Sequence, residues 1–140
     1  MIAGGSSDTD EFLRELKKIA KDDERILFTG FVQGQLLEEL YSNAYVYALP
    51  SDLEGMPLSL LEAMSYGNCC VVSDIAECAE VVEDKAIVFQ KSNVEQLREK
   101  LQDLCNHPEY VKLYKDSASF FICQKYNWDD VVDRTVAVYR

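Results

Sequence analysis

Two carboxylates, Glu54 and Glu62, stand eight positions apart in the stretch SDLEGMPLSLLEAMSYG, which runs from Ser51 to Gly67. Between them lies Pro57, which suits the first turn of a helix because its missing N–H costs nothing there. A helix start offers free N–H groups and the positive end of the helix dipole, and both suit a phosphate. The spacing therefore predicts a ligand whose phosphate meets the helix start. Glu62 would bind two ribose hydroxyls, and Glu54 would bind hydroxyls at the ligand's other end.

A purely structural interpretation of the two acids stays open at this point. In it, Glu54 caps or charges the helix start, and Glu62 pairs with an arginine or a backbone donor. The helix is apolar nearly all round, and such helices are usually buried; its apolar residues are Leu58, Leu60, Leu61, Ala63 and Met64. A carboxylate in a buried helix is costly without a partner, so both interpretations require one for Glu62.

Strands and helices alternate around this stretch. Apolar runs predict five strands, which begin near Met1, Ile26, Tyr45, Cys69 and Ala86. Alternation of this kind produces a parallel sheet with helices on both faces. We therefore expect a single Rossmann-like α/β sandwich with a mostly parallel sheet of about five strands over residues 1–140.

Local signals place several helix boundaries. Gly67 is expected to end the central helix, and Asn93 to cap the helix from Val94 to Cys105. Ser73 and Asp74 follow the fourth strand, on the side where open parallel sheets bind ligands. The first helix, capped by Asp8 or Asp10, is predicted to bury one face formed by Phe12, Leu13, Leu16 and Ile19.

Composition excludes several functional classes. Fourteen Lys and Arg against 25 Asp and Glu give a net charge of −11, which argues against a nucleic-acid groove or binding to an anionic membrane. No apolar run approaches the roughly 18 residues of a spanning helix, so we expect no transmembrane segment. The glycines do not form the dinucleotide fingerprint, so neither NAD nor FAD is expected.

The five cysteines lack metal or redox spacing, and the apolar surroundings of Cys69 and Cys70 predict reduced, buried thiols in a cytoplasmic protein.

An ordered set of motifs covers most of the chain. EGMPLSLLEAMSYG, flanked by ALPSD and VVSDI, stands with IAGG, ILFTGFV, LYSNA and NWDDVV. This set resembles the signature of the retaining, GT-B-fold glycosyltransferases of family four, in which the matched region is the C-terminal, donor-binding domain. The resemblance implies that Glu62 holds the donor ribose and that Glu54, the candidate catalytic residue, contacts the donor sugar. It also implies that backbone N–H groups around Gly55, Met56, Pro57 and Leu58 meet the diphosphate, and that Gly30, Phe31 and Val32 lie near the nucleobase.

The resemblance further implies an activity. A hexosyl group would move from a UDP-, GDP- or ADP-sugar to an acceptor hydroxyl in glycan biosynthesis, with its anomeric configuration kept and without a metal or other cofactor. Stabilisation of the leaving diphosphate should then dominate catalysis. Neither acid is assigned as a nucleophile. The acceptor would be bound mainly by an N-terminal domain absent from this chain, and any peripheral membrane contact would also come from absent parts.

The sequence departs from the family pattern at its start. Family members usually have a further strand upstream that ends in a Gly-Arg pair, followed by a lysine, and these two cations grip the diphosphate. We therefore expect a fragment of a two-domain enzyme that is inactive by itself. The strands at Met1 and Tyr45 either pair directly, as in flavodoxin, or leave the sheet incomplete. Phe31 is equally open to interpretation as plain core.

Two other functions remain as alternatives. A non-catalytic nucleotide-binding or partner-binding module is favoured by the missing cations and disfavoured by the presence of both Glu54 and Glu62. A nucleotide-sugar epimerase of the same architecture matches the paired acids less well. A phosphoacceptor receiver domain is excluded, because it needs an acidic pair where Gly4, Gly5 and Ser6 stand.

Overall fold

The computed structural model describes residues 1–5 and 10–139. Strands and helices alternate as predicted as far as the fifth helix, and two more helices follow. Asp8, one of the two predicted caps of the first helix, lies outside the described residues. The elements in chain order are β1 (Ile2–Ala3), α1 (Glu11–Ala20), β2 (Phe28–Gly30), α2 (Gln35–Asn43), β3 (Tyr47–Leu49), α3 (Leu58–Ser65), β4 (Cys70–Ser73), α4 (Ala76–Val82), β5 (Ile87–Phe89), α5 (Val94–Asn106), α6 (Pro108–Lys125) and α7 (Trp128–Val138).

The described strands form two parallel sheets, β1-β2 and β3-β4-β5. The predicted α/β class with parallel strands is confirmed. The suggested direct pairing of the Met1 and Tyr45 strands is wrong in the part of the chain that the structure describes. There β1 pairs with β2, with Ile2 opposite Phe28, and β3 pairs with β4.

The chain folds into two compact units, residues 1–40 and the part that begins at Tyr41. In the first unit, α1 buries Ala20 and half-buries Leu13 and Leu16. The predicted core face is wrong for Phe12 and Ile19, which are 67% and 76% exposed. Strands of two and three residues give α1 little apolar surface on which to pack.

The second unit is organised around β4, whose four residues are all buried. Such a continuous apolar run is typical of a parallel strand covered on both faces. One core cluster includes Val71 of β4 and is completed by Cys69, Phe89, Leu104 and Val111. Helix α3 packs against α6 and buries Leu60, Ala63 and Met64 completely.

Two predicted helix boundaries in the second unit are confirmed. Gly67 follows α3 with a φ of +72°, and its N–H donates to the Met64 carbonyl at 2.9 Å. Positive φ is the backbone conformation that glycine adopts most readily at the end of a helix. Asn93 caps α5, because its side-chain oxygen accepts a hydrogen bond of 2.9 Å from the Gln96 N–H. Local chemistry thus determines both boundaries.

The cysteines divide into buried and exposed thiols. Cys69, Cys70 and Cys78 are buried, as predicted for the first two, whereas Cys105 and Cys123 are exposed. Burial raises the pKa of Cys69 and of Cys78 to about 11, and it also raises the pKa of Cys70. Alkylation requires the thiolate, so at about pH 8 iodoacetamide should modify only Cys105 and Cys123 in the folded chain. Mass spectrometry should find all five modified after denaturation; alkylation of native Cys70 as fast as Cys105 would contradict the burial.

Candidate functional site

The loop from Pro50 to Pro57 joins the carboxyl end of β3 to α3 and is hydrogen-bonded to residues at or after the ends of β4 and β5. The Ser51 carbonyl accepts a hydrogen bond from the Ser73 hydroxyl at the end of β4. The Asp52 carboxylate accepts one of 2.9 Å from Ser92, which follows β5. The loop is therefore fixed at the sheet edge where open parallel sheets bind ligands.

The polar residues after β4 help to build that edge. Ser73 is buried, and its hydroxyl is used on the Ser51 carbonyl. Asp74 accepts a hydrogen bond of 2.7 Å from the Lys91 N–H, which connects the residues after β4 to those after β5. Both side chains therefore position the loops.

Glu54 is half-buried in the loop, and its carboxylate is held by a neighbour. The Ser51 hydroxyl donates to Glu54 Oε1 at 2.6 Å, a charge-assisted hydrogen bond that fixes the side chain. Glu54 also lies close enough to Cys78 to add to the pKa increase that burial causes in that thiol. The structural interpretation of Glu54 as a helix cap is wrong, because Pro57 occupies the N-cap of α3 without a side-chain cap.

Glu62 is exposed because only one side of α3 is buried, so the expectation of a helix buried nearly all round is wrong. The buried side of α3 is formed by Leu60, Ala63 and Met64, spaced for one helical face, and Glu62 projects from the opposite side. Its Oε2 accepts a hydrogen bond of 3.1 Å from the phenol of Tyr41. The expected arginine or backbone partner is therefore replaced by a tyrosine, and an outward-facing carboxylate can meet a ligand.

The backbone between the two acids presents unused N–H groups. Pro57 has no N–H, and the Leu58 N–H donates to the Met56 carbonyl at 2.8 Å. Of the four residues predicted to meet a diphosphate, Gly55 and Met56 have N–H groups with no acceptor among the described residues. Ser59, in the first turn of α3, adds a third such N–H, as expected where a helix start leaves donors unpaired.

Gly55 faces open space. A Cβ built on Gly55 meets no atom within 4 Å, and its φ is not in the left-handed region. Neither packing nor backbone conformation in the described protein requires a glycine there. The missing side chain instead leaves the N–H groups of the loop accessible to a ligand.

The residues predicted near a nucleobase lie in the first unit, whereas the paired acids lie in the second. Gly30 ends β2 with a φ of +67°, and Val32 is half-buried. Phe31 is 77% exposed, so its interpretation as core is wrong. The ring is available for contact, and the assignment of these three residues to the base stays a prediction.

Three residues of this site were missed at the sequence level. Ser51 lies only three positions before Glu54 in the same predicted loop, and that closeness in sequence was the available signal for the pair. Ser59 was recognisable as the second residue after Pro57. Tyr41 lies 21 positions from Glu62 in another helix, so no local pattern connects the two.

Neither a metal centre nor a membrane helix is found in the described ranges. Within residues 1–5 and 10–139, no three His, Cys, Asp or Glu side chains are grouped to share a metal ion. None of the helices that those residues form combines the length and apolar character needed to cross a membrane.

Comparison with known sequences identifies relatives over the whole chain. The family described as glycosyl transferases group 1 matches residues 1–107. The uncharacterized glycosyltransferase MJ1607 of Methanocaldococcus jannaschii is 28% identical over 100% of this chain and 36% of its own length. O-antigen chain mannosyltransferase B of Escherichia coli is 24% identical with the same coverage. The chain thus spans about a third of the length of these curated relatives.

Solved structures share its architecture. Sucrose-phosphate synthase of Thermosynechococcus elongatus superposes with a TM-score of 0.87 at 21% identity, over 99% of this chain and 37% of that one. HepE of Anabaena, in complex with UDP-glucose, gives 0.89 at 15% identity, over 98% of this chain and 39% of that one. At identities this low, the structural likeness shows the fold alone. The predicted Rossmann-like class is confirmed.

Proposed function

The chain belongs to the glycosyl transferases group 1 family, and we propose that it is the donor-binding domain of a retaining, metal-independent, cytoplasmic glycosyltransferase. The enzyme would move a hexosyl group from a nucleotide diphosphate to an acceptor hydroxyl. Relatives named as glycosyltransferases support transferase activity. Because the chain spans 36% of those relatives, we assign the acceptor mainly to an N-terminal domain absent from this chain.

One observation carries the proposal: two fixed carboxylates flank a backbone segment with unused N–H groups. Glu54 is held by Ser51 and Glu62 by Tyr41, while the N–H groups of Gly55, Met56 and Ser59 have no acceptor among the described residues. A nucleotide sugar presents sugar hydroxyls, a diphosphate and a ribose diol in that order. Glu54, the backbone N–H groups and Glu62 follow one another along the chain in the same order. Each can form hydrogen bonds with the corresponding group of the ligand. Neighbours solved with UDP or UDP-glucose support a nucleotide-sugar donor, and UDP, GDP and ADP are the candidate nucleotides.

The proposed chemistry follows from where charge develops. As the bond between sugar and diphosphate breaks, negative charge grows on the leaving phosphate. Backbone N–H groups and the positive end of the α3 dipole stabilise that charge without having to reorganise. These local donors matter because the chain carries a net charge of −11, which repels a phosphate at longer range. Glu54 orients the sugar, and Glu62 binds the ribose.

Thermal unfolding with UDP, GDP and ADP tests this function. A nucleotide present at about 100 times its Kd adds about 2.7 kcal/mol to the stability of the state that binds it. We expect one nucleotide, titrated into the millimolar range, to raise Tm, and the nucleoside alone to have a much smaller effect because it lacks the diphosphate. Equal curves with and without all three nucleotides would contradict a donor site in this chain.

Alanine at position 55 should separate binding from folding. Since φ is unstrained and the added Cβ meets no atom, Gly55→Ala should keep the stability of the unliganded chain or raise it by about 0.4–1 kcal/mol. The new methyl group would occupy space that the diphosphate needs, so we expect the Tm increase from the nucleotide to shrink. Differential scanning calorimetry with and without nucleotide measures both effects.

Gly67→Ala is the matched control for that substitution. Gly67 has a φ of +72°, and an added Cβ would lie 3.6 Å from the Lys115 carbonyl oxygen. This variant should lose about 1–2 kcal/mol of stability, since only glycine tolerates this backbone readily. Its Tm increase from the nucleotide should match that of the original chain. A full nucleotide response in Gly55→Ala would contradict the proposed position of the diphosphate.

A further inference from the structure

The carboxylate of Glu62 is held by an almost fully buried phenol. Tyr41 is 8% exposed, and its hydroxyl lies 3.1 Å from Glu62 Oε2 and 3.3 Å from the Ser59 carbonyl oxygen. We propose that Tyr41 is a positioning residue that holds Glu62 in the orientation that binds a ribose diol. The proposal rests on the function proposed above, because it concerns the same carboxylate.

Tyr41 is itself rigidly placed. Its ring stacks on Tyr66 with centroids 5.5 Å apart, and it lies tilted against Tyr47 at 6.0 Å. Its carbonyl accepts a hydrogen bond of 2.9 Å from the buried side chain of Asn68. A phenol fixed at both ring and backbone can orient an exposed carboxylate that would otherwise rotate freely.

The hydrogen bond leaves Glu62 able to bind. Tyr41 contacts Oε2, so Oε1 and a second lone pair of Oε2 remain for two hydroxyl donors. A carboxylate already ordered before the ligand arrives loses less conformational freedom on binding, which strengthens affinity. Burial raises the pKa of Tyr41, with the nearby Tyr47 and Glu62 adding to the increase, so the phenol keeps its proton and remains a donor at neutral pH.

Tyr47 provides a matched control in the same neighbourhood. Tyr47 is half-buried, and its hydroxyl donates to the Ser59 side chain at 2.8 Å and not to Glu62. Removing the Tyr47 hydroxyl therefore removes a contact to the start of α3 and leaves the Tyr41–Glu62 bond in place.

Calorimetric titration of the 140-residue chain tests the proposal. The ligands are the nucleoside diphosphate that binds best among UDP, GDP and ADP, and its 2′,3′-dideoxy form. We expect Tyr41→Phe to weaken the ribonucleotide about 10-fold, as for a lost hydrogen bond to a charged group, and to leave the Kd of the dideoxy form unchanged. Tyr47→Phe should change neither Kd. The double variant Tyr41→Phe, Glu62→Gln should bind no more weakly than Glu62→Gln alone, because both changes remove one interaction.

The outcomes distinguish failure of the Tyr41 proposal from failure of the proposed donor-binding function. If no nucleoside diphosphate binds the original chain, the proposed function and the role of Tyr41 both fail. If the ribonucleotide binds better than its dideoxy form but Tyr41→Phe weakens both equally, weakens neither, or behaves as Tyr47→Phe does, only the positioning role is overturned.

A second measurement covers a Tyr41→Phe variant that does not fold. The ¹³Cζ resonances of chains labelled with ¹³Cζ-tyrosine can be compared by NMR at neutral pH in the original sequence and in Glu62→Gln. Loss of the carboxylate acceptor should shift the Tyr41 resonance more than the Tyr47 resonance, because the Tyr47 hydroxyl donates to Ser59. An unchanged Tyr41 resonance would show that no such contact exists in solution.

Discussion

Leu60→Ala is expected to lower the free energy of unfolding by about 2–5 kcal/mol, the usual cost of truncating a fully buried leucine. Leu60 has no exposed surface and lies on the side of α3 that also buries Ala63 and Met64. Truncation of the Leu60 side chain leaves a cavity beside α3, which packs against α6. Urea unfolding followed by circular dichroism measures the loss.

Leu58→Ala is the matched control on the same helix. Leu58 is 59% exposed, so its truncation should change stability by less than about 0.5 kcal/mol. Composition alone treats the two leucines as equivalent, and the orientation of α3 makes them different. Comparable losses for Leu58 and Leu60 would show that α3 buries another face.

Glu62→Ala is expected to reduce strongly the stabilisation that a nucleotide provides while leaving the unliganded chain unchanged. The side chain is exposed, so its loss costs the fold little. Loss of contacts between a carboxylate and two hydroxyls should weaken binding about 10- to 100-fold, from about 1.5–3 kcal/mol for a hydrogen bond to a charged group. Thermal unfolding at a fixed nucleotide concentration, well above the Kd of the original chain, measures the difference.

Glu99→Ala controls for the loss of one negative charge. Glu99 is an exposed glutamate on α5, so the substitution makes the same change in net charge on another helix. Its nucleotide response should equal that of the original chain. A Glu62→Ala variant that loses several kcal/mol without nucleotide would mean that Glu62 serves the fold.

Local chemistry made much of the fold predictable. Gly67 and Asn93 end and cap their helices as predicted, because backbone conformation and side-chain capping depend on neighbouring residues. The continuous apolar run of β4 indicated a strand buried on both faces. Such signals lie within a few positions of the feature that they determine.

Burial was harder to predict, because it depends on elements distant in the chain. An almost uniformly apolar helix does not reveal which face will be covered, and the packing of α3 on α6 decides that Leu60 is buried and Glu62 exposed. In the first unit the helical period correctly indicated Leu13 and Leu16. The exposure of Phe12 and Ile19 follows from the small size of the β1-β2 sheet, which the period does not encode.

The acids of the candidate site were proposed from the sequence, whereas its backbone donors were proposed only in part. Glu54 and Glu62 follow from residue type and spacing, and Ser51 could have been found from its distance to Glu54 in sequence. Which N–H groups are unused depends on the backbone conformation. The Leu58 N–H donates to the Met56 carbonyl, whereas the Ser59 N–H has no acceptor among the described residues. Tyr41 reaches Glu62 from another helix, so its role required the folded chain.

Titration of the ¹⁵N-labelled chain with a nucleoside diphosphate, followed by its amide resonances, tests the donor site most directly. We predict that the N–H resonances of Gly55, Met56 and Ser59 shift far more with the diphosphate than with the nucleoside, because these groups have no acceptor among the described residues. The shifts should saturate at one nucleotide per chain. Shifts that spare these three resonances, or that are equally large with the nucleoside, would contradict a diphosphate bound at the start of α3.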